Sequence, residues 1–185
     1  MRVKKNLFFI EGLFLDYFLH LMQEHLIIDG NNAMHAIPDL TKELLRDRNF
    51  ARTSLLIMLV PLVSAGNRVT VVFDGRAGKG FLERYEGMDG FDVFYSSSSE
   101  GADGAIERMV MAAKFPGNIC VVTNDHLIRN CAYANGSSTM RVDQLLKQLD
   151  HSIDQMSRKA EQTTHTKKGV QAPFHNRIEF PDIQG

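Results

Sequence analysis

The chain has 185 residues, 44% of them hydrophobic, enough for the core of one domain with a tail. Lys and Arg number 21 against 22 Asp and Glu, so the formal net charge is -1 and the pI is about 6.6. That balance excludes a protein that holds nucleic acid by bulk charge, and any such role must rest on local groups. The two cysteines, Cys120 and Cys131, have neither CxxC nor metal-ligand spacing, and they read as reduced thiols in a cytoplasmic protein.

The opening "MRVKKNLFFIEGLFLDYFLHL" (1–21) mimics a secretory leader, but Glu11 and Asp16 interrupt its apolar run and no small-residue cleavage site follows. It is also too short and too charged to span a membrane. Two readings stay open: an amphipathic helix packed on the domain, or an upstream extension ahead of Met22, which would open "MQEHLIIDG".

"HLIID" (25–29) then predicts a first strand ending on an acid, with Gly30 and two asparagines as the turn after it. Residues 39–66 predict one or two helices. Within them "LLIMLVPLV" (55–63) is too short for a membrane span and reads as a buried helix. "RVTVVFDG" (68–75) predicts the second strand, and the glycine-rich stretch 76–90 a loop with at most a helical turn. "FDVFYS" (91–96) predicts the third strand, 97–115 a helix after an acidic start, and "NICVVTND" (118–125) the fourth strand. A helix over 125–135, a fifth strand over 137–142 and a last helix over 142–160 follow, then a polar tail (161–185) whose "RIEF" is a candidate edge strand.

Strands separated by helices of ten or more residues imply parallel pairing through right-handed crossovers. The expectation is a three-layer α/β/α domain over 22–160, around a mostly parallel sheet of about five strands. In such sheets ligands gather outside the carboxyl ends of the strands. Acids recur at that edge: Asp29 ends the first strand, Asp74 the second and Asp125 the fourth, while Asp103 opens the helix after the third.

Each acid has a plain alternative. An Asp after a strand is often only a turn former or a helix cap. Asp74, in "FDG", is the most turn-like, and Asp103 suits a helix start, where the dipole favours an acid. Four such acids on one rim make the plain account weaker for the set. Crowded carboxylates take up protons or bind cations. Hard cations such as Mg²⁺ prefer oxygen and keep open positions for phosphate, and a bound pair of them can activate water against a phosphodiester.

"LIIDGNN", "VTVVFDG", "SSEGADGAIERMV" and "CVVTNDHLIRNCA" occur in an order that resembles the YacP-like NYN domains, bacterial members of the PIN-like nuclease superfamily, over roughly residues 22–150. The resemblance implies a PIN-like fold, a divalent-metal acidic site (Mg²⁺ or Mn²⁺) and endonuclease action on RNA, with no preference for DNA. It matches Asp29, Asp103 and Asp125 to the family's acids, with Asp74 a further candidate metal ligand. Asn32 matches the asparagine of the usual "DGYN", whereas Asn31 stands where an aromatic is usual.

Around these acids, Asn32, Thr123 and Asn124 are candidates for steadying carboxylates or meeting the scissile phosphate. Arg76, Lys79 and Arg129 are candidates for gripping flanking phosphates, against the alternative of a solvated loop or a surface ion pair. Glu107 and Glu100 are possible accessory acids. His35 and His126 have no partner at zinc spacing. Residues 22–150 carry 13 Lys+Arg and 16 Asp+Glu, a balance of -3. Binding of RNA should therefore depend on metal, and weak bulk charge favours RNA presented by a ribonucleoprotein such as the ribosome. A non-catalytic RNA-binding adaptor with the same fold is the rival reading. A haloacid-dehalogenase-like phosphatase is disfavoured, because that chemistry needs a second acid where Asn31 stands.

Overall fold

The computed structural model describes residues 24–75 and 78–167. The expectations for residues 1–21, for Arg76 and for the edge strand "RIEF" fall outside the described residues. The rest is a three-layer α/β domain.

The first strand, β1 (His25–Asp29), is buried from Leu26 onward and runs straight into α1 (Gly30–Ala36). After it come α2 (Pro38–Leu44), α3 (Arg48–Ser64) and β2 (Arg68–Phe73). β3 (Phe81–Arg84) and β4 (Phe91–Tyr95) lead to α4 (Gly101–Met111). Then come β5 (Ile119–Val122), α5 (His126–Ala134), β6 (Ser138–Met140) and α6 (Val142–Lys167). The sheet order is β3-β4-β2-β1-β5-β6. Every pairing is parallel except β3 with β4. The chain winds to one side of β1 through β2 and β4, then returns to its other side at β5. The boundary between β1 and β5 is therefore the topological switch point, where α/β sheets open a crevice at their carboxyl edge.

Alternation along the strands splits the core between the two faces. Leu26, Ile28, Val69, Val71, Phe91 and Val93 pack under α1, α2, α3 and α6. Ile27, Val72 and Val121 pack under α4 and α5 through Ala105, Ile106, Ile128 and Ala132. The apolar run 55–63 lies in α3, with Leu55, Leu56, Leu59 and Leu62 buried as expected. Among the described residues, no helix is long and apolar enough to cross a membrane.

Three local features differ from the sequence reading. The stretch 76–90 holds the expected helical turn, a 3₁₀ turn (Tyr85–Gly87), but also a strand, β3, so the sheet of about five strands has six. All four residues of β3 are exposed, so no buried alternation marks it; its place comes from backbone pairing with β4. The expected turn after Asp29 is a seven-residue helix, hidden because it opens on Gly and Asn, poor helix formers. The last helix runs on to Lys167, past its expected end at 160.

The loop leaving β2 lies tight against the end of β4. A Cβ on Gly75 would sit 2.0 Å from the carbonyl oxygen of Ser96, a backbone atom that cannot swing aside. Gly75→Ala is expected to destabilise the fold by about 1–3 kcal/mol, the usual penalty of overpacking. A lower midpoint in urea unfolding with an unchanged slope checks this.

Candidate active site

The carboxyl edge of the sheet carries the acids. Asp29 ends β1, faces the same side as Val72, and is 4% exposed. Its Oδ1 accepts the backbone N–H of Asn32 at 3.0 Å, which caps α1. Its Oδ2 accepts the hydroxyl of Thr123 at 3.0 Å, across the switch point. Thr123 is fully buried at the end of β5, and its Oγ1 accepts the backbone N–H of Asp125 at 3.1 Å. Asp125 in turn caps α5: its Oδ1 accepts from Leu127 and Ile128 at 2.6 and 3.3 Å. The plain capping role and the rim position thus hold together for Asp29 and Asp125.

Asp103 lies in the first turn of α4, exposed, with no hydrogen bond to its carboxylate among the described residues. Asp74 is committed elsewhere. Its Oδ1 accepts the backbone N–H of Ala102 at 2.7 Å, and its Oδ2 accepts Asn31 Nδ2 at 2.6 Å. It ties the start of α4 to the end of β2 and so helps to place Asp103. Asn31, where the resembled family carries an aromatic, is a partner in that clasp.

The electrostatics match crowded acids. Burial pushes the Asp29 carboxyl above its ordinary range; the bonds from Asn32 and Thr123 oppose the rise, and Asp103 and Asp74 add to it. Asp103 is likewise raised, first by desolvation and then by Asp125 and Asp74. Asp29 thus feels Asp103 and Asp74, and Asp103 feels Asp125 and Asp74, although these acids come from β1, the loop after β2, α4 and the start of α5. Among the described residues, no three His, Cys, Asp or Glu side chains already stand close enough together to hold a metal ion.

The asparagines and Thr123 serve the frame. Asn32 Oδ1 accepts the backbone N–H of Asn124 at 2.9 Å, and Asn124 Oδ1 accepts that of Val142 at 3.2 Å. They lock the exits of β1 and β5 to the start of α6. Lys79 is exposed in the loop after β2, and Arg129 lies on α5 with its Nη2 3.5 Å from His126 Nδ1 and its Nε buried without a hydrogen bond. Glu100 is taken by Arg108, which donates to it at 2.6 and 3.2 Å and holds its carboxyl below the usual range. Glu107 is half-buried one turn beyond Asp103, and His35 is exposed on α1. Sequence reading passed over Arg52. Its Nη2 donates to the Asp74 carbonyl at 3.0 Å, a contact from α3 that no local motif announces. A cavity of about 280 Å³, lined by His25, Arg68, Lys114 and Phe115, opens at the opposite, amino end of the strands and is remote from the acids.

A model of the YacP-like NYN domain matches residues 26–179. The chain belongs to that family. Among solved structures this NYN chain is similar to Rae1 (YacP) from Bacillus subtilis. Identity to it is 25%, with a TM-score of 0.61 over 80% of this chain and 85% of that one. A mutant of the same protein aligns at 25% identity and a TM-score of 0.63, over 77% of this chain and 85% of the other. Comparison with curated proteins finds no match. The family is nuclease-like, which agrees with the α/β architecture and the acidic carboxyl edge.

A carboxyl whose pKa is raised in the fold holds its proton more tightly there than in the unfolded chain. Its ionisation therefore costs stability as pH rises through the raised value. Asp103→Asn is expected to unfold at a higher temperature than the wild type near neutral pH. The gap should close as pH falls below the ordinary Asp range of about 3.9, where both side chains are neutral. Thermal melts across that range, without divalent cation, check it.

Proposed function

We propose that this chain is an endoribonuclease that hydrolyses RNA phosphodiester bonds with a divalent cation, Mg²⁺ or Mn²⁺, held by Asp29, Asp103 and Asp125. The observation that carries the proposal is the gathering of four carboxylates along the carboxyl edge of a nuclease-like fold, with those of Asp29 and Asp103 raised by burial and by their acidic neighbours. A pure RNA binder gains nothing from a rim that repels phosphate. The donor chemistry suits a hard cation that draws the three side chains together: it is oxygen only, Asp103 has both oxygens open, and Asp125 keeps Oδ2 open. Such a cation, when bound, would lower the pKa of a water molecule and offset the charge that builds on the phosphate.

The chain's own residues supply the rest. Asp29 is held in one orientation by two donors, which limits the cost of ordering it as a ligand. Asp74 and Asn31 fix the start of α4 and so the position of Asp103. Lys79 and Arg129 are suited to phosphates on either side of the cut, and Asn32 Nδ2, with no bond among the described residues, suits a phosphate oxygen. With a near-neutral chain and an acidic rim, free RNA has little long-range pull toward the site. We propose that the substrate is presented by a ribonucleoprotein such as the ribosome, in the cytoplasm.

The test uses labelled single-stranded RNA and ribosome-bound message. The wild type should cut with Mg²⁺ or Mn²⁺ and lose activity with chelator, while Asp29→Asn and Asp103→Asn should fall by roughly 100-fold or more. Equal cleavage by all three proteins would remove the acids from the mechanism. No cleavage of either substrate would favour the RNA-binding adaptor.

A further inference from the structure

An aromatic row lies beside the acidic rim, on the other face of the sheet. Phe73, Tyr95 and Phe81 are the last residue of β2, the last of β4 and the first of β3, and they stand in register across the three strands. Phe81 stacks on Tyr95 with ring centroids 4.8 Å apart and planes 25° apart. Tyr95 stacks on the buried Phe73 at 5.9 Å and 29°. The Arg52 guanidinium backs the inner two rings, its Cζ 5.0 Å from the Phe73 centroid and 5.6 Å from that of Tyr95. The same guanidinium holds the carbonyl of Asp74, so the row is fastened to the first residue of the acidic loop.

The row begins in the core and ends in solvent. Phe73 is fully buried, whereas Phe81 is 49% exposed. A stacked ring leaves one face open, and an exposed aromatic face at the edge of a phosphate-cleaving site has a natural occupant: an unpaired nucleobase. Bases of single strands stack on such rings, and a cation behind the stack strengthens it. Three strand spacings separate β1 from β3, roughly 14 Å, a span that a few nucleotides of single strand cover. Duplex bases are already stacked on one another and offer no free face.

We propose that Phe81, stacked on Tyr95, binds one unpaired base of single-stranded RNA a few nucleotides from the bond over the acids. This rests on the reading of RNA as the substrate and adds to it the strandedness of that RNA and a place where it is held. The site takes any base, because every base has a flat apolar face. It selects single strand over duplex.

The chain has no tryptophan, so Phe81→Trp places a single indole at the platform. The measurement is indole fluorescence in an Asp103→Asn background, titrated with a short oligouridylate, with an abasic ribose-phosphate strand of equal charge, and with duplex RNA. A saturable change with oligouridylate alone supports the platform. No change, or an equal change with the abasic strand, overturns it. So does a change that follows protein concentration without RNA, which would mean that copies pair along β3. In parallel, Phe81→Ala should weaken oligouridylate binding by about tenfold, with Phe81→Tyr restoring it and Phe81→Leu not. Cleavage without any fluorescence response would discard the platform and leave the nuclease reading standing. A fluorescence response in that variant, with no cleavage by the wild type that keeps Asp103, would do the reverse.

Discussion

The rim is organised by one buried hydroxyl. Thr123 donates to Asp29 and accepts from the backbone of Asp125, so one side chain joins the ends of β1 and β5 where the winding of the sheet reverses. A parallel α/β sheet opens at that place, because consecutive crossovers leave in opposite directions. Here the opening is bridged by a hydrogen bond from a fully buried donor, reinforced by Asn32 and Asn124 passing backbone bonds toward α6. Asp29 is thus buried and oriented, while Asp103 and Asp125 keep open oxygens on the same edge.

That arrangement explains why capping and chemistry need not compete. An acid at a helix start is favoured by the N-terminal dipole and by free N–H groups, and in this topology helix starts follow strand ends. The local rule that places an Asp after a strand also delivers it to the ligand-binding edge. Burial first, and the neighbouring acids after it, raise the carboxyls of Asp29 and Asp103, a cost that the fold tolerates although relieving it would stabilise the protein. Sites that resist their own stability in this way are the expected signature of function.

Much of this was legible in the sequence, and the reasons differ by residue. β1, β2, β4 and β5 announce themselves as short apolar runs, and their parallel order follows from the helices between them. Asp29, Asp74 and Asp125 could be placed on one edge because each ends or follows such a run. β3 could not be seen, because its four residues are exposed and its existence depends on the edge of β4. The helix α1 could not be seen, because Gly30 and the asparagines suit it poorly and a cap from Asp29 starts it. Roles were harder than positions. Asn31 and Asp74 meet across 43 positions and Thr123 and Asp29 across 94, separations that no local pattern encodes. Arg52 was passed over for the same reason, since its meaning lies in two rings and a carbonyl on other elements.

The central claim is that these carboxylates form a cation site, and binding itself is its most direct measure. Thermal unfolding of the wild type and of Asp103→Asn, with and without Mn²⁺, reads it independently of any RNA. A ligand that binds only the folded state raises the midpoint in proportion to its affinity. The account predicts a clear rise with Mn²⁺ for the wild type, and a small rise or none for Asp103→Asn. An equal response of both proteins, or no response of either, would contradict it.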